Sequence, residues 1–90
     1  MSRGDRAVPA DGSAAALNVG MALARMTPHE LFIAQLGLAG PLSGPEVART
    51  VAGARTPTAY EHDVLAHALN EECAQQGLGH PVAASSEVFG

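Results

Sequence analysis

Thr27-Pro28-His29-Glu30, Ser43-Gly44-Pro45-Glu46 and Thr58-Ala59-Tyr60-Glu61 are three copies of one pattern, each with a hydroxyl residue three places before a glutamate. At a helix start the hydroxyl accepts from a free first-turn N–H, and the carboxylate reaches back to the cap's own N–H. Each copy is therefore read as a helix beginning. Gly40-Pro41 and Arg55-Thr56-Pro57 punctuate the gaps between them, so the pattern predicts consecutive helices over about 28 to 39, 44 to 54 and 58 to 76. The fold class that follows is all-α, a small bundle of three core helices.

Periodicity gives each helix its faces. In 28 to 39, Phe32, Ile33 and Leu36 fall on one side and Leu31, Ala34 and Leu38 on another, which leaves His29, Glu30 and Gln35 as the polar positions. A helix apolar nearly all round is either the centre of the bundle or presents a second face to another subunit. The helix 44 to 54 turns Val47 and Val51 inward and Arg49 and Thr50 outward, and Gly53 ends it. The helix 58 to 76 carries an apolar stripe of Val64, Leu65, Ala68, Leu69 and Cys73, with Gly77 as its stop. Opposite lies a polar stripe of Asp63, His67, Asn70 and Glu71, bordered by Glu61 and Glu72.

Upstream, Ser13 is read as the cap of a further helix over about 14 to 25, which Gly20 weakens. Residues 1 to 12, rich in Gly and Asp and without periodicity, read as a disordered leader. Arg3 and Arg6 ahead of the Ala-rich run outline a secretory leader, but Asp5 and Asp11 cancel that charge and Asn18 and Gly20 break the run. The single domain spans 13 to 77, and 78 to 90 read as an extended tail that either packs back on the bundle or stays mobile.

Composition narrows the function. The 90 residues include no Trp, one Tyr and two Phe, so the core is built from small aliphatic side chains on closely approaching helices. All the basic residues are Arg, and the formal net charge is −4, which disfavours a surface that neutralises a run of phosphates. One cysteine allows no internal disulfide and fits a reducing cytoplasm. No phosphate loop, nucleophile elbow, paired acid and base or dinucleotide turn is present, so no catalytic residue and no cofactor is expected.

Asp63, His67 and Glu71 follow each other at every fourth position, yet residues on one helix face do not wrap a metal, and a solvated face is the stronger reading. Cys73 and His67 point to different sides of their helix and make no thiol–imidazole pair. His62 and His80 have no evident partner in the sequence.

Two resemblances add to this. Leu42-Ser43-x-x-Glu46-Val47-Ala48-x-x-Val51 followed by Arg55-Thr56-x-Thr58 resembles the first helix and turn of bacterial helix-turn-helix repressors, which implies a DNA-binding regulator. The would-be recognition helix departs from that family, because it carries Glu61, Asp63, Glu71 and Glu72 and no basic residue. Leu36-Gly37-Leu38-Ala39-Gly40, together with Asp63 through Asn70-Glu71, resembles small all-helical actinobacterial proteins with an Ala-Leu-Asn-Glu segment in their last helix. No activity is implied by that likeness.

The expected function is that of a non-enzymatic regulatory module in the cytoplasm that docks on another protein, or on itself as a homodimer. Leu31 and Leu38 would supply the apolar contact, and Asp63, His67, Glu71 and Glu72 the acidic one. The alternative is a helix-turn-helix transcriptional regulator.

Overall fold

The computed structural model describes residues 9 to 88. Its elements are α1 (Ala10–Ala24), α2 (Pro28–Leu36), α3 (Gly44–Val51), α4 (Ala59–Gln75) and a closing turn, α5 (Ser85–Val88). There is no β-strand among the described residues. The small all-α bundle is thus the fold, and α1 completes it as a full helix. The leader expected over 1 to 12 lies mostly outside the described residues, but residues 10 to 12 already belong to α1.

All three capping boxes are formed. Thr27, Ser43 and Thr58 accept from the N–H groups of Glu30, Glu46 and Glu61 at 3.1 to 3.3 Å, and each glutamate accepts from its own cap N–H at 2.9 Å. Ser13 is not a cap. α1 starts beyond Pro9, and Ser13 sits inside the helix, fully buried, with its hydroxyl engaged elsewhere.

The helix ends share a second device. Each of the four main helices closes with a pair of backbone bonds reaching back three and five residues: Arg25 and Met26 on Ala22 and Met21, Ala39 and Gly40 on Leu36 and Gln35, Gly53 and Ala54 on Thr50 and Arg49, and Gly77 and Leu78 on Ala74 and Cys73. This is the Schellman closure, which needs a left-handed residue. Gly53 and Gly77 supply it freely, whereas Arg25 (φ 57°) and Ala39 (φ 56°) adopt it against the preference of a side-chain-bearing residue. These closures also explain why α2 and α3 stop three residues short of the expected ends. Ala39→Gly is expected to stabilise the domain by about 1 kcal/mol, which thermal unfolding measures directly.

α4 is the central helix, packed against α1 on one side and α2 on the other, with α3 bridging α1 and α2. The core gathers Leu17 and Met21 of α1, Leu31 of α2, Leu42 before α3, Val47 and Val51 of α3, and Leu65, Ala66, Ala68 and Leu69 of α4. Gly20 lets α1 approach α4: a Cβ there would press on Leu69 and overlap Val82. The helix-weakening glycine is therefore a point of close packing.

Polar side chains lock the connections. Gln35, expected on the surface, is fully buried and brackets Leu42, donating to its carbonyl at 2.8 Å and accepting from its N–H at 3.3 Å. Asn18 donates to the Val51 carbonyl at the end of α3, and Gln76 to the Ala24 carbonyl at the end of α1. Thr50, also expected outward, is buried with its hydroxyl on the Glu46 carbonyl.

Candidate functional site

α4 was read as an apolar stripe backed by a solvated polar one, and its polar side chains are divided differently. His62 is 0% exposed and lies on the inward stripe with Leu65, Leu69 and Cys73. Its Nε2 meets the Ala83 carbonyl at 2.9 Å and its Nδ1 meets the Ser13 hydroxyl at 2.7 Å. A carbonyl only accepts, so Nε2 carries the proton, and in the neutral ring Nδ1 accepts from Ser13. The serine and imidazole form a sealed structural pair with no access for a substrate.

Asp63 and Asn70 are also turned to internal use. Asp63 accepts the Ser85 N–H at 2.8 Å and its hydroxyl at 2.9 Å, while Asn70 brackets both polar groups of Val82. Asp63 is therefore not part of a free acidic face. The tail expected as an extension beyond residue 77 folds back over α4, and Val82 joins the core. A shallow depression of about 330 Å³ lies between Asn70 and residues 80 to 84, too open to enclose a substrate.

Outward on α4 stand Tyr60 and His67, the latter paired with Glu71 at 3.2 Å, while Glu72 is half-buried and accepts from Gln76. No cluster of metal-ligating side chains exists among the described residues. Cys73 is buried, and burial raises its thiol pKa, which makes it unreactive.

The apolar contact expected from α2 is relocated. Leu31 is 0% exposed and part of the core, and Leu38 is half-buried against that core, so neither offers a docking surface. The reason is local: Leu31 and Gln35, one turn apart, face α4 and the Leu42 loop, which rotates Ile33 (52% exposed) and Leu36 (49%) outward. Phe32 lies between, half-buried and tilted against His29. α1 carries its own exposed pair, Val19 and Leu23.

The helix-turn-helix likeness falls on α3, the turn after it and α4. α4, the helix that should enter a groove, presents Glu71 outward, and Arg55 in the turn forms a two-pronged bond with Glu61 at 3.0 and 3.1 Å and stands 3.7 Å from Glu46. Burial pushes the Glu61 carboxyl up, but the Arg55 fork and the Thr58 N–H outweigh it and leave its pKa lowered. A lowered folded value means stability that is full above the ordinary glutamate pKa and lost as pH falls through the folded one. Glu61→Gln should therefore flatten the acid limb of a stability-against-pH profile, with its loss full near neutrality and shrinking as pH falls.

No helix among the described residues is long and apolar enough to cross a membrane. No protein-family model matches the chain, and neither the curated proteins nor the solved structures give a match.

Proposed function

We propose that this chain is a non-enzymatic regulatory module that docks on another protein through the outer face of α2, and that it associates with itself through the same face. One observation carries this reading: Ile33 and Leu36 stand about half exposed, side by side on a helix whose opposite face is already committed to the core. The chemically versatile side chains support it from the other direction. His62, Asp63, Asn70, Gln35 and Arg55 all serve internal bonds, which leaves no convergent set for catalysis.

The partner would be apolar at its centre and basic at its rim, because the net charge of the chain is −4 and Glu71 is exposed on α4. A reducing cytoplasm suits the single buried thiol. Sedimentation of the wild type against the double variant Ile33→Glu/Leu36→Glu tests the reading. The wild type should self-associate with rising concentration, and the variant should stay monomeric with unchanged helicity. A wild type that is monomeric throughout, or a variant that associates equally well, contradicts it.

A further inference from the structure

Residues 80 to 86 are held on α4 in the manner of a bound peptide. Asn70 takes both backbone groups of one residue, donating to the Val82 carbonyl at 3.1 Å and accepting from its N–H at 2.8 Å. His62 donates to the Ala83 carbonyl, and Asp63 takes the Ser85 N–H. These contacts read main chain, which any segment carries. Selectivity comes from two side chains: Val82, 5% exposed and seated where Gly20 leaves room beside Leu69, and Ser85, whose hydroxyl reaches Asp63.

The link from α4 to this segment is sparsely held. Gly77 closes α4 and Gly79 follows it, both at positive φ with nothing within 4 Å of an added Cβ, and among the described residues no backbone–backbone hydrogen bond holds Gly79, His80 or Pro81. Few buried apolar contacts and an open hinge are the features of a locally opening unit. Lifting it would uncover a concave surface of α1 and α4 with one apolar socket flanked by Asn70, His62 and Asp63.

We propose that this surface is a peptide-docking groove for a segment of a partner protein with the chemistry of Val82-Ala83-Ala84-Ser85, a valine followed by two small residues and a serine, and that the chain's own residues close it as an intramolecular competitor. The groove is distinct from the outer face of α2 and stands or falls without it.

The test uses the full chain and a fluorescent peptide of residues 78 to 90. Val82→Asp unseats the internal segment and leaves the groove intact, so this variant should bind the peptide at least about 100-fold tighter than the wild type, because the tethered competitor is gone. Adding Asn70→Ala to that variant, or placing Asp at the valine of the peptide, should abolish binding. Equal affinity of wild type and Val82→Asp, or indifference to either change, overturns the proposal. A wild-type dimer that free peptide dissolves would assign the groove to a second copy and overturn the partner-protein occupant. Should Val82→Asp fail to fold, amide exchange of the wild type decides: Val82 and Ser85 N–H should exchange at least about 100-fold faster than those of Leu65 and Leu69, and equal protection overturns it.

Discussion

Leu31→Glu is expected to unfold this domain, not to detach a partner from a folded one. Leu31 is wholly enclosed among the core residues of α1, α3 and α4, and no basic side chain belongs to that cluster. A carboxylate there loses the burial of a leucine, about 2 to 5 kcal/mol, and adds an unpaired buried charge, about 3 to 5 kcal/mol more. A domain of this size has only about 5 to 13 kcal/mol in total. Circular dichroism should show most of the helicity gone at room temperature. Ile33→Glu, two residues away on the outer face, should leave the spectrum unchanged. A helical, cooperatively melting Leu31→Glu would show that α2 is rotated from the orientation described.

Gly20→Val is the second large effect. Even the first carbon of the new side chain overlaps Val82 and presses on Leu69, and α1 cannot retreat without pulling Leu17 and Met21 out of the core. Overpacking of this kind costs up to about 3 kcal/mol, and the small gain in helix propensity of valine over glycine does not offset it. The residues beyond 79 should yield first, since Val82 is the movable half of the contact. Denaturant unfolding should report the loss, and the Val82 and Ser85 amides should lose protection before those of α4. An unchanged midpoint would mean that α1 and α4 do not cross at Gly20.

These two residues show what the sequence made legible and what it concealed. Helix starts were plain because a capping box is local: Thr58 and Glu61 satisfy each other within one turn, whatever the rest of the chain does. The glycine stops at Gly53 and Gly77 were plain for the same reason. Arg25 and Ala39 perform the same closure without the residue type that announces it; the end of α2 was placed three residues late, while that of α1 was placed within one residue. The face of α2 was ambiguous because both sides are apolar, and the deciding residue, Gln35, is polar and buried.

His62 and Ser13 are polar and yet fully buried. Each lies in register with an apolar stripe, His62 with Leu65, Leu69 and Cys73, and Ser13 with Leu17, Gly20 and Ala24. Register alone would have placed both inside. What no local pattern reveals is that each is the other's partner across 49 positions of sequence. Asp63 and Asn70 failed differently: they do face away from the main stripe, but the tail comes back to meet them, and its return is a long-range event with no signature in its own residues.

The outer face of α2 as a docking surface is tested most directly by the amide chemical shifts of the labelled wild-type chain, followed from high to low concentration. The account predicts that the resonances moving with dilution belong to His29, Ile33, Leu36 and Gly37, with the buried Leu31 and Gln35 responding less and α3 silent. Shifts centred on Arg49 and the start of α4, or none at any concentration, would contradict it.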